Sequence, residues 1–423
     1  MISIKQIAGA VLICLGLTLF SFCLHILPGT NTMVNYVDAN HPKDDKLIVT
    51  DGFLPWAVDY HHYLLENKKR PITVFLIEKL AQAFNLRISL SYVYVNFFLL
   101  FLGGLLVYYL ALLYQLRYKI AILSVVAYFF SFSILLAYFI PIATVDEPAQ
   151  YVFILISFIA LAKQRLIMFV VNFILAIITR ETSFLLLPGM MLFFMGIDFK
   201  NVLKEKLKII RAGVIGLFFV LFYIGYLSWF YKMNPELINE SKIWISEKFL
   251  NYKNKNFLDF EHTIQTLMSI ISVNLLPIFL IIYYRIKHQV SPSESKLFYA
   301  FWITFGINFV MVILSAYAEE SRVLTLPYLI LFPIFGKILN EVIQFNKPFF
   351  KYLMNWKNIL LLLAVTTLSW KLFKLGSKLT NYKPHENLNL FVEYNTLAVL
   401  FIVLVLLYNR FSVKTKLPQQ ENS

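Results

Sequence analysis

A carboxylate able to accept a proton, set near a cation able to hold a phosphate, is the minimum equipment for group transfer from a phosphorylated donor. Both recur in this chain. Asp51 and Asp59 stand in the stretch 50–63, which also carries His61, His62 and Tyr63. Shielded from water, either acid can serve as a base toward a hydroxyl; left in a polar loop, it is merely solvated. Asp146 and Glu147 form a second acidic element between apolar runs, followed by Pro148. Acids ahead of a Pro in a first helical turn oppose the helix dipole, so capping is the plain alternative. Arg180 and Glu181 interrupt another apolar run. Ionisable groups at membrane depth are costly and mark a site or a paired partner, and the planar fork of Arg suits phosphate. A self-neutralising pair of Arg180 with Glu181 is the structural alternative. Glu319, Glu320 and Arg322 make a last short charged stretch, in which the acids either orient the arginine or lie exposed.

His61 and His62 raise the question of a metal. Adjacent histidines point in different directions on a helix or strand, and further ligands would have to come from distant loops. A divalent metal is therefore unsupported, no cofactor is implied, and the two histidines read as interfacial neighbours of Tyr60 and Tyr63.

The elements that must position these groups are membrane helices. Of 423 residues, 59% are hydrophobic and 15% charged, with a mean hydropathy of +0.69. Apolar runs of about 18 or more residues read as spans, because a helix satisfies its own backbone in hydrocarbon. The expected spans are 7–27, 88–114, 120–140, 149–162, 166–179, 182–197, 212–230, 265–284, 297–317, 323–336, 358–370 and 391–408. They make an all-α integral membrane protein of about twelve helices, with amphipathic helices in the first outer loop. The segment Ile7 to Leu27 reads as a retained first helix. Cys14 and Cys23 both fall in it, which leaves no disulfide framework and no CxxC site.

Charge orients the bundle. The net charge of +14 does not gather on one soluble face, which argues against nucleic acid as a partner. With the N-terminus inside, the inner segments hold 20 of the 38 basic residues against 5 of the 24 acids, and the outer ones hold the remaining 18 against 19. This is the positive-inside pattern of a cell membrane protein with both termini cytoplasmic. The same rule requires 166–197 to cross twice, as a short helical hairpin with Arg180 and Glu181 at its tip. All the candidate residues then share the outer side. Two outer loops, 28–87 and 231–264, are long enough to carry structure. The first contains an amphipathic stretch from Ile72 to Phe84, and the second mixes Trp244, Phe249 and Tyr252 with charges.

The order of these motifs resembles polytopic glycosyltransferases of the GT-C fold, in their bacterial branch. The likeness rests on Asp51 and Gly52 with Asp59 and Tyr63 after the first helix, the acidic stretch Thr144 to Pro148, the run Thr179 to Thr182, and Glu320 with Arg322. It covers about 50–330, within a catalytic core of 1–340 followed by C-terminal helices and a short tail over 341–423. The resemblance implies a polyprenyl-phosphate-linked sugar as donor and a glycan, lipid or protein acceptor at the extracytoplasmic face. Asp51 or Asp59 would be the base, with Asp146 and Glu147 as a second acidic element. Arg180 and Arg322 would hold the donor phosphate, supported by Glu181, Glu320, His62 and Tyr63. Two spaced acids in loop one, in place of an adjacent pair, leave open which one reacts. A polysaccharide polymerase acting on lipid-linked repeats, or a transporter or lipid flippase, are the alternatives.

Overall fold

The computed structural model describes residues 3–26, 53–63, 65–132, 134, 146–196, 205–238, 252–316, 318, 321–343, 347–379 and 386–414. Among these the fold is entirely helical. Among the described residues five helices are long and apolar enough to cross a bilayer: Ile4–Cys23, Ile88–Leu113, Lys206–Met233, His262–Lys287 and Pro292–Ser315. At 1.5 Å per residue the 26 residues of Ile88–Leu113 reach about 39 Å, more than the roughly 30 Å of a hydrocarbon core. Shorter apolar helices accompany them at Tyr118–Phe129, Glu147–Ala162, Leu166–Thr179, Glu181–Phe193, Trp356–Leu368 and Tyr394–Asn409. The chain is a membrane-embedded, multi-pass helical protein.

The interior is built by pairs of helices. Glu147–Ala162 packs along Leu166–Thr179 and against Ile88–Leu113, which also carries the first helix and Tyr118–Phe129. One core joins them, with Tyr128, Tyr151, Phe158, Phe169 and Phe173 fully buried. The Glu386–Lys414 helix lies along Phe260–Lys287, so the C-terminal region docks on the rest of the bundle. Lys206–Met233 is the opposite case, an apolar helix with little of its surface covered by protein. Its exposed Val214, Leu217, Leu221 and Ile224 belong against lipid.

The expected amphipathic stretch in the first outer loop is the helix Pro71–Phe84, which buries Thr73, Val74, Ile77 and Ala81 at helical spacing and leaves Phe75 and Phe84 exposed. The expected span 323–336 is not one helix. Pro327 and Pro333 break it into 3-10 turns at Ser321–Leu324 and Leu326–Ile330 and a helix at Phe332–Ile343. That last helix sits tightly on Tyr118–Phe129 through Gly336, whose N–H donates to Ser124 Oγ at 2.9 Å. The stretch 166–197 does turn at Arg180, but its two arms pack on different partners, the first on Glu147–Ala162 and the second, Leu187–Met195, on Pro292–Ser315.

Candidate functional site

Charged side chains converge where four elements meet: the turn before Pro71–Phe84, the head of Glu147–Ala162, the break after Leu166–Thr179, and the Phe53–Tyr63 helix. Arg180 makes the break. Its extended backbone (φ −160°, ψ 122°) ends one helix, and a 3-10 turn, Glu181–Leu186, begins at the next residue. Arg180 and Glu181 consequently take different partners. The Arg180 guanidinium pairs with Glu147, while Glu181 receives both arms of Arg70, Nε to Oε2 at 2.8 Å and NH2 to Oε1 at 2.6 Å. Lys69 Nζ adds a contact to Glu181 at 3.2 Å. The alternative of a self-neutralising pair of Arg180 with Glu181 gives way to two pairs between distant segments.

Hydrogen bonds brace this turn. Gln150 Nε2 donates to Thr182 Oγ1 at 3.0 Å and Ser183 Oγ at 2.9 Å, and Ser183 Oγ donates to the carbonyl of Ala176 at 2.9 Å. From the other side Tyr226 Oη donates to the Lys69 carbonyl at 2.7 Å. Tyr226 belongs to an aromatic series with Tyr223, Trp229 and Phe230 near the end of Lys206–Met233. Such girdles mark a membrane interface. Lys208, at the other end of that helix, is about 27 Å away along its axis, close to one hydrocarbon thickness. The cluster also lies at the opposite ends of Glu147–Ala162 and Leu166–Thr179 from Lys163 and Arg165. It therefore sits across the bundle from the basic segments.

Asp146 is the least conventional member. It occupies the N-cap position of its helix with Pro148 in the first turn, yet its side chain makes no capping hydrogen bond. Both acids stand at the helix head, as capping expects, but Asp146 supplies no side-chain cap. The carboxylate turns inward, with Oδ2 3.6 Å from an Arg70 nitrogen and Oδ1 4.0 Å from His61 Nδ1. Burial pushes its pKa up to about 7, and the Arg70 guanidinium only partly opposes that. Burial, reinforced by the Arg70 charge, lowers His61 to about 4, so the imidazole is neutral at neutral pH. For Arg70, burial works against the charge, but the Glu181 carboxylate more than offsets it and holds the guanidinium above its usual range. At full ionisation Lys69, Arg70 and Arg180 balance Asp146, Glu147 and Glu181.

The other expected site residues fare differently. Asp59 is exposed on the Phe53–Tyr63 helix, and the buried His61, two positions on, lies about 200° around it, so Asp59 faces away from the cluster. His62 is also outside the cluster, 2.7 Å from Glu78. Tyr63 ends that helix, and Arg322 lies in the 3-10 turn Ser321–Leu324. Asp51, Glu319 and Glu320 lie outside the described residues. Among the described residues no group of three or more His, Cys, Asp or Glu side chains is arranged to hold a metal ion.

Lys69 and Arg70 are the members that motif reading misses. The signal was there: Lys68, Lys69 and Arg70 are the only three consecutive basic residues in the chain, and they fall on the side expected to carry no excess of positive charge. No protein-family model, curated protein or solved structure matches this chain.

Proposed function

We propose that the chain is a membrane glycosyltransferase of the GT-C-like kind its motifs resemble. In this reading it has about twelve spans and transfers a sugar from a polyprenyl-phosphate-linked donor to a hydroxyl acceptor, a glycan, lipid or protein, at the extracytoplasmic face. The observation that carries the reading is Asp146: a buried carboxylate poised near neutral pH, within reach of Arg70, beside a second arginine, Arg180. Attack on an anomeric carbon needs a base near the acceptor and positive charge near the departing phosphate. Asp146 takes the hydroxyl proton, the new oxygen–carbon bond forms, and the electron pair of the carbon–phosphate oxygen bond leaves with the lipid phosphate. Arg70, Arg180 and Lys69 receive that anion, with Glu147 and Glu181 holding the guanidinium groups in place until it binds. Asp59 gives way to Asp146 as the preferred base, because it points elsewhere.

The test is turnover of a polyprenyl-phosphate sugar by the purified protein in nanodiscs, read as released polyprenyl phosphate. A base works in its ionised form, so kcat/KM rises with pH through about 7 and levels above it. Asp146→Asn lowers the rate by about 10²-fold or more. Unchanged turnover in this variant, or a rate independent of pH between about 6 and 8, refutes the assignment. A transporter or flippase is the second reading, favoured by the pairing of Arg70 with Glu181 and of Arg180 with Glu147. Lipid or sugar flux in proteoliposomes without bond transfer selects it.

A further inference from the structure

Two buried polar atoms in the cluster lie 4.0 Å apart without a hydrogen-bond partner among the described residues, His61 Nδ1 and Asp146 Oδ1. His61 is 6% exposed and Asp146 2%. They come from separate elements, the Phe53–Tyr63 helix and the head of Glu147–Ala162, and an Arg70 nitrogen lies 3.6 Å from the other carboxylate oxygen, Oδ2. An oxygen about 2.8 Å from each atom subtends roughly 90° between them, which a hydroxyl accommodates by accepting from one and donating to the other. The surroundings narrow the chemistry. The charges around the two atoms are balanced at full ionisation, three cations against three acids, so the cluster carries no excess charge to call for an ion of either sign. A neutral group that both donates and accepts satisfies both atoms.

We infer that His61 and Asp146 together form the seat of the acceptor hydroxyl, so that the acceptor is a neutral alcohol such as a sugar hydroxyl. The inference rests on the transfer reading above and adds His61 to it. His61 Nδ1–H donates to one lone pair of the seated oxygen and so directs the other toward the anomeric carbon. In the step itself the O–H proton passes to Asp146 Oδ1, and the imidazole gains and loses no proton. Lys69, Arg70, Glu147, Arg180 and Glu181 are the charges around the seat.

The experiment uses the full chain in nanodiscs with His61→Leu and His61→Asn. Asn can place an N–H where Nδ1 stands, and Leu keeps bulk without it. Leu lowers kcat/KM for acceptor by about 10²-fold with donor KM unchanged, and Asn recovers to within about tenfold of the unmodified protein. Equal impairment in both variants, or none in either, overturns the seat and leaves the transfer reading standing. If the unmodified protein transfers to no acceptor, the transfer reading falls and the seat is judged by infrared spectroscopy. The Asp146 carboxyl band, assigned by its loss in Asp146→Asn, shifts on addition of glycerol in the unmodified and Asn proteins and not in Leu. A band indifferent to glycerol in all three overturns the seat.

Discussion

Replacing Arg70 with Met leaves Glu181 with Lys69 as its remaining cation and takes from Asp146 its closest guanidinium. Replacing Glu181 with Met strands a part-buried guanidinium instead. Breaking one side of a buried ion pair costs about 3–5 kcal/mol, whereas replacing both sides with apolar residues is close to neutral. Glu181 is 26% exposed and Lys69 stays beside it, so the low end applies, about 3 kcal/mol for each single variant. The double variant still takes Glu181 from Lys69 and Arg70 from Asp146, but Asp146 can take up a proton near pH 7, which limits its loss to about 2 kcal/mol in total. Two singles would sum to about 6 kcal/mol, so the cycle predicts a coupling of about 4 kcal/mol. At about 2.1 cal/mol/K of unfolding entropy per residue, each single lowers the midpoint by about 3 °C in this chain. Calorimetry of the detergent-purified protein, with tryptophan fluorescence as a second probe, reads the shifts. Additive singles, or singles that cost under about 1 kcal/mol, refute the claim that this part-buried pair is mutually dependent.

Two further outcomes test the frame around the site. Gly336→Ala puts a methyl 2.1 Å from the Ile120 carbonyl and 2.5 Å from the Ser124 nitrogen, so it destabilises by about 3 kcal/mol or abolishes accumulation, while Gly213→Ala, with open space around it, changes little. Thermal midpoints and yield of the two variants decide this. In a background lacking Cys14 and Cys23, an impermeant maleimide applied to intact cells labels Lys232→Cys but reaches Arg165→Cys only after permeabilisation; the reverse pattern inverts the orientation and removes the extracytoplasmic site.

The helices are legible in the sequence because hydrocarbon imposes one rule, internal satisfaction of the backbone, and apolar runs announce it. Ile72 to Phe84 reads correctly as an amphipathic helix, since its 3.6-residue spacing is a local property. Pairing is not local. Nothing in the adjacency of Arg180 and Glu181 says that an extended backbone between two helices sends them to Glu147 and Arg70, and only three-dimensional packing brings Lys69 and Arg70 against the break. Asp146 illustrates the same limit: acid, position and following Pro all spell a helix cap, but burial beside His61 and Arg70 wins over the dipole. The 3-10 turns after Ser321 were legible in Pro327 and Pro333, whose effect outweighs the apolar run that contains them.

The pairing of Arg70 with Glu181 spans 111 residues of chain. A ribosome adding about 5–20 residues per second needs roughly 6 to 20 s to cover that distance. For that interval Arg70 has been made and its carboxylate has not, so the guanidinium must wait at the water's edge. Pro71–Phe84, apolar on one face and lying directly after it, is suited to float there and to slide inward once Glu181 arrives. The charged cluster can thus close no earlier than the synthesis of Glu181, before the second half of the chain is made.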